Sequence, residues 1–220
     1  SNIVLADEIN RATPKTQSAL LQAMQEKTVT IANTTYRLPR PFFVLATQNP
    51  IEIEGTYPLP EAQLDRFLFK LDVPFPDMDE LIQIVTLTTG TAEPELNSVT
   101  DGNEILKIME TVKQIPVAEP VLKTALKLVM ATHPENESSP EITKKYVRFG
   151  ASPRGAQAII KTAKIRALLE GRYNVAFEDI YYTAYPSLRH RLLINFDGVA
   201  EGISADFIIS ELIKEVLETI

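Results

Sequence analysis

Short apolar runs separated by turns occupy the first third of the chain, and longer stretches with helical periodicity occupy the rest. Ile3-Val4-Leu5-Ala6 and Phe42-Phe43-Val44-Leu45-Ala46 are bounded apolar runs without alternation, the pattern of buried parallel strands. Between them, Pro14 to Glu26 carries Leu20, Leu21 and Met24 at helical spacing, with Thr13-Pro14 suited to a cap and first turn. Thr28 to Ile31, Ala32-Asn33-Thr34 and Thr35 to Leu38 read as strand, turn and strand, a β-hairpin. Phe67 to Val73 alternates apolar and polar positions and predicts a third core strand, stopped by Pro74 and Pro76.

After Asp77 the strand signal fades. Helices are predicted over Asp79 to Thr89, Asn103 to Val112, Ala118 to Thr132, Pro153 to Glu170, Glu178 to Arg191 and Ala205 to Leu217. Ser152-Pro153, Phe177-Glu178-Asp179 and Ser204 before Asp206 have helix-entry chemistry. Ala156, Ile159, Ile160, Ala163 and Ala167 form an apolar stripe for core packing. Glu93 to Gly102 and His133 to Tyr146 read as polar connections. The predicted class is therefore α/β: a partial parallel-sheet domain with a hairpin insertion over residues 1–76, then an all-helical domain over residues 77–220.

Composition narrows the functional classes. A net charge of −7 and a pI near 5.0 argue against a chain-wide electrostatic grip on nucleic acid or on an anionic membrane. Without cysteine there is no disulfide or thiolate metal site, and the two histidines lie far apart in sequence. No apolar run approaches the roughly 18 residues of a membrane span, and a cytoplasmic location is the default expectation.

Four places have residue types suited to phosphate chemistry. The first apolar strand ends in Asp7-Glu8. One carboxylate there can hold Mg²⁺ through its water shell, and its neighbour can orient and polarise an attacking water. The second strand ends in Thr47-Gln48-Asn49-Pro50; if the two strands are neighbours, Asn49 sits beside Glu8, able to bond a water or a γ-phosphate. Leu59 to Phe67 is a short amphipathic helix delivering Arg66, whose cationic fork suits a transferred phosphoryl group. In Gly150-Ala151-Ser152-Pro153-Arg154-Gly155, Arg154 lies in the first turn of a helix, where anions are favoured. Each feature has a plainer explanation taken singly: a solvated turn, an Asn before Pro, or a surface Asp65-Arg66 pair. Arg189-His190-Arg191 reads as a solvated helix end, and Tyr181, Tyr182 and Tyr185 as packing aromatics.

Taken together, Asn2 to Arg11, Pro14 to Glu26, Ala46 to Pro50, Tyr57 to Phe67 and Gly150 to Gly155 closely resemble MoxR-type AAA+ ATPases of the magnesium-chelatase-like branch, in the right order through essentially the whole chain. The resemblance implies a P-loop-type α/β core followed by a helical lid. It makes Asp7 and Glu8 the Walker B pair, Asn49 sensor 1, Arg66 an arginine finger offered to a neighbouring subunit, and Arg154 sensor 2. It implies ATP and Mg²⁺ as cofactors, a hexameric ring, a partner with a von Willebrand factor A domain, and chaperone-like maturation or metal-cofactor insertion. The hairpin at residues 27–40 matches the one that precedes sensor 1 in this branch. No G-x-x-x-x-G-K-[ST] occurs in these 220 residues. The family places that loop ahead of Walker B, so the chain reads as part of a longer polypeptide, expected by itself to bind ATP poorly and hydrolyse little or none. Two other readings compete: a non-catalytic assembly module, and a DNA-linked relative, against which the acidic charge speaks.

Overall fold

The structure, a computed structural model, describes residues 1–49, 55–90 and 96–218. Two apolar tetrapeptides form the only parallel ladder among the described residues, β1 (Ile3–Ala6) with β4 (Phe43–Ala46), in the register Ile3↔Phe43 to Ala6↔Ala46. Between them run α1 (Pro14–Glu26) and a hairpin of β2 (Thr28–Ile31) and β3 (Thr34–Arg37). Thr13 caps α1 by accepting the Thr16 N–H at 3.4 Å, and Lys27 ends it in the left-handed region at φ 56°. The hairpin turn is only Ala32-Asn33, both at positive φ (46° and 66°), which suits the twist of a two-residue turn and leaves Thr34 in the strand. Ile9, Leu21 and Leu59 are buried here, backed by Leu20, Met24, Ala46, Leu64 and Phe67. The opposite face of the ladder is open: Ile3 and Leu5 are 64% and 62% exposed.

The predicted strand at Phe67 to Val73 does not form. After α2 (Glu61–Leu64) the chain turns through residues 65–68 and then runs on without regular structure, pairing with no strand among the described residues, and Val73 is 90% exposed. Its backbone groups are used differently. The Lys70 N–H donates to the Pro186 carbonyl at 2.9 Å, and the carbonyls of Phe67, Leu68 and Lys70 accept from histidine and arginine side chains.

Helices dominate thereafter: α3 (Met78–Thr89), α4 (Gly102–Gln114), α5 (Glu119–Ala131), α6 (Glu141–Tyr146), α7 (Pro153–Leu169), α8 (Phe177–Leu188), α9 (Phe196–Ala200) and α10 (Ala205–Glu218). Asp77 and Glu80 form a reciprocal capping box at the head of α3, and Asp101 caps α4. Residues 93–95, at the start of the predicted connection from Glu93 to Gly102, lie outside the described residues. The predicted connection from His133 to Tyr146 contains α6, and the domain is not purely helical. Directly after α6, β5 (Val147–Phe149) pairs antiparallel with β6 (Leu193–Ile194). The polar side chains that disguised α6 face the end of α5: Thr143 Oγ donates to the Ala131 carbonyl at 2.8 Å and Ser139 Oγ to the His133 carbonyl at 2.7 Å. Leu128, Ile159, Ile180, Leu188, Ile208 and Leu212 anchor one contiguous core, in which the predicted α7 stripe takes part.

Candidate functional site

The parallel pairing carries the ends of β1 and β4 to one edge of the ladder, where Asp7 and Glu8 follow β1 and Asn49 stands three residues after β4. The residue that ties the edge together is Thr47. Its hydroxyl donates to Asp7 Oδ1 at 2.5 Å and accepts the Glu8 N–H at 2.8 Å, and its carbonyl accepts the Ile9 N–H at 3.0 Å. Glu8 stands in the left-handed region (φ 47°, ψ 52°), which costs a non-glycine residue about 1–3 kcal/mol and is characteristic of functional turns. Its carboxylate pairs with Arg11 at 3.0 Å. Asp7 is exposed, and its second oxygen has no partner among the described residues. The segment leading to α2 is docked on this turn by the buried Gln17, whose Nε2 donates to the carbonyls of Ile9 (3.1 Å) and Tyr57 (2.9 Å).

Arg66 and Arg154 lie in a second cluster, which no hydrogen bond or ion pair joins to Asp7 or Glu8 among the described residues. Arg66, just after α2, is exposed, and its guanidinium has no partner among them. Asp65 beside it does not pair with Arg66. Its Oδ1 accepts from Arg191 Nε at 2.8 Å, both oxygens accept from Ser152 Oγ at 3.0 and 2.9 Å, and Arg154 Nη1 stands 3.6 Å from Oδ2. Ser152 also caps α7 by accepting the Arg154 N–H.

Arg191 is no solvated helix end: its side chain is 3% exposed, and burial lowers its pKa against the pull of Asp65. His190 is also enclosed. Its Nε2 donates to the Phe67 carbonyl at 3.0 Å, and its buried Nδ1 has no partner among the described residues. Burial first, then the charge of Arg191, lower its pKa to about 4. At neutral pH the enclosed ring is therefore neutral, with its one proton on the Nε2 that faces the Phe67 carbonyl. Gly155 makes this packing possible, because a Cβ there would stand 3.2–3.3 Å from Ala151 Cβ, Leu188 Cδ2 and Arg191 Cδ.

Comparison with known proteins bears on both halves. Residues 1–69 match the family described as "ATPase family associated with various cellular activities (AAA)", and residues 139–212 match "AAA lid domain". The chain is 40% identical over 216 residues to the chaperone MoxR1 of Mycobacterium tuberculosis, covering 98% of this chain and 57% of that protein. It is 31% identical over 230 residues to the protein MoxR of Methylorubrum extorquens, covering 100% and 66%. A crystal structure of a putative ATPase from Cytophaga hutchinsonii superposes with a TM-score of 0.92 at 41% identity, covering 97% of this chain and 65% of the other. The chain belongs to the MoxR-type AAA+ ATPases. It spans 57–66% of the length of the curated relatives it matches.

Within that family frame, the sequence reading missed Thr47, Asp65, Ser152 as a bridge, and Arg191. Thr47 had a usable signal, a hydroxyl directly after an apolar strand and in register with Asp7. Arg191 had none, because its carboxylate partner lies 126 residues away.

Proposed function

We propose that the whole protein is an ATP-hydrolysing, chaperone-like remodelling ATPase that converts ATP and water to ADP and phosphate. The observation that carries this reading is the acidic edge, where Thr47 fixes Asp7 and Glu8 together at the carboxyl ends of two parallel strands. The donor set suits a hydrated Mg²⁺. Asp7 offers an unengaged, exposed oxygen, and no group of three acidic, histidine or cysteine residues forms a direct cage among the described residues. Bound there with the nucleotide, the ion offsets charge that develops on the phosphates. Glu8 orients and polarises the attacking water, Asn49 bonds the water or the γ-phosphate, and Arg154 binds phosphate from the head of α7. Arg66, exposed and unpartnered among the described residues, serves the site of a neighbouring subunit.

On this reading the subunits form a ring, hexameric by resemblance, and act on partner proteins in maturation or metal-cofactor insertion with a von Willebrand factor A domain protein. The core ends and the lid begins between Pro74 and Asp77. The setting is cytoplasmic. Among the described residues no helix is long and apolar enough to cross a membrane.

The test is ATP turnover by a polypeptide that carries a phosphate-binding loop ahead of residue 1, measured over a range of protein concentrations. Turnover per subunit should rise with concentration and fall at least ~100-fold in Glu8→Gln, with nucleotide binding kept. Flat zero turnover at every concentration would instead favour an assembly module.

A further inference from the structure

The exposed Arg66 sits on a backbone held from both sides by one guanidinium. Arg191 Nη2 donates to the carbonyls of Asp65 at 2.9 Å and Phe67 at 2.7 Å, the residues on either side of Arg66. Its Nη1 donates to the Leu68 carbonyl at 3.3 Å and to the Ser187 carbonyl within α8, and its Nε engages the Asp65 carboxylate at 2.8 Å. The clasp continues along the strip: His190 bonds the Phe67 carbonyl, the Lys70 N–H bonds the Pro186 carbonyl, and Arg189 Nη1 bonds the Lys70 carbonyl at 3.3 Å. Arg189 is itself fixed by a bidentate pair with Asp206, at 2.6 and 2.7 Å. These backbone anchors come from the end of α8 or the turn after it, and Ser152 at the head of α7 adds its bond to the Asp65 carboxylate, so the residues around Arg66 are tied to the helical domain, while Leu64 and Phe67 keep them packed on the α/β cluster.

We propose that Arg191 and Asp65 are positioning residues for Arg66: their clasp ties the finger to its own subunit's lid, so that lid movement in one subunit repositions the cation offered to the next. The proposal rests on the reading of Arg66 as a finger acting between subunits. A buried planar fork that holds a carboxylate and three carbonyls on one strip fixes orientation in a way that a lysine's single ammonium does not. Arg154 shares the Asp65 carboxylate only at 3.6 Å and half-exposed, so it contributes little to holding the strip. A displacement of about 1 Å at a catalytic group is enough for a roughly 10²-fold loss of rate.

The experiment uses the polypeptide with its phosphate-binding loop, and Arg191→Lys and Asp65→Asn as variants. Both should lower kcat roughly 10- to 100-fold with nucleotide affinity little changed. Subunit mixing then locates the defect. Arg66→Ala mixed with Glu8→Gln must regain turnover if the finger acts between subunits; absence of that rescue sinks the underlying reading, and the clasp proposal with it. Where that rescue occurs, Arg191→Lys should also be rescued by Glu8→Gln subunits and not by Arg66→Ala subunits, because its defect lies on the finger side. Rescue by Arg66→Ala, rescue by neither, or wild-type kcat in Arg191→Lys overturns the proposal while leaving the finger intact. Hydrogen exchange without nucleotide gives an independent reading. Amides over residues 67–70 should exchange at least ~10-fold faster in Arg191→Lys but not in Arg154→Ala, with the rest of the helical domain unchanged. Unchanged exchange in Arg191→Lys also overturns the clasp, and Arg191→Lys, which keeps its charge, serves where Asp65→Asn does not fold.

Discussion

In the helical domain Leu128, Ile159, Ile180, Ile208 and Leu212 are shut away from water, and so is one carboxylate, Asp179. That carboxylate meets Arg172 through two bonds of 2.6 and 2.7 Å, the Ala176 N–H at 2.8 Å and Arg166 at 3.3 Å. Burial alone would raise its pKa, but these partners outweigh that effect and hold it below the usual carboxylate range. In the α/β part, among the described residues, only Ile9, Leu21 and Leu59 form a buried cluster, and the ladder that carries the acidic edge presents Ile3, Leu5, Phe43 and Leu45 to solvent on one face. The lid holds most of the burial, and so most of the stabilisation within these residues, while the proposed chemistry stands on a thinly supported edge.

The largest effect should separate two leucines. Leu128→Ala, at 1% exposure in the lid core, is expected to cost about 4 kcal/mol, and Leu45→Ala, at 49% on the open face, under about 0.5 kcal/mol. Denaturant unfolding of both variants measures this, and equal losses would break the comparison. A smaller loss, about 3 kcal/mol, is expected for Asp179→Ala, because its arginines retain part of their hydration. The change in unfolding midpoint measures it, and a value near zero would remove Asp179 from the lid's supports.

A folded-state pKa of about 4 for His190, against 6.5 when unfolded, means that the unfolded chain binds more protons between those values. Its contribution is fully present above about pH 6.5 and is lost as pH falls toward 4, by at most about 3 kcal/mol. The difference between the stability–pH curves of the parent and His190→Gln isolates this term. Parallel curves would show that the ring is solvated and the clasp loose.

Much of the lid was legible because its signals are local. Asp77, Asp101 and Ser152 announce their helices within three residues, and the stripe from Ala156 to Ala167 keeps its period. The acidic edge was legible because two apolar runs each end in polar residues, and parallel pairing then aligns them. What failed depended on distance. The alternation from Phe67 to Val73 is a strand pattern, yet a strand needs a ladder, and here arginine and histidine side chains from the end of α8 take the carbonyls instead. The same omission made Arg191 look like surface charge and Asp65 look like its neighbour's partner. Thr143 and Ser139 made α6 look like loop because their hydroxyls bond carbonyls at the end of α5.

The clasp around Arg66 also sets what evolution is free to alter. Its bonds reach backbone oxygens at positions 65, 67, 68 and 70, which every residue type supplies. Side-chain identity at Leu68 and Phe69 is therefore open to drift, while the number of residues is not. One insertion or deletion would slide each oxygen past the donor that reads it. Related sequences aligned across this strip should vary in composition and show no gap, as though a fixed gauge had been laid along the chain.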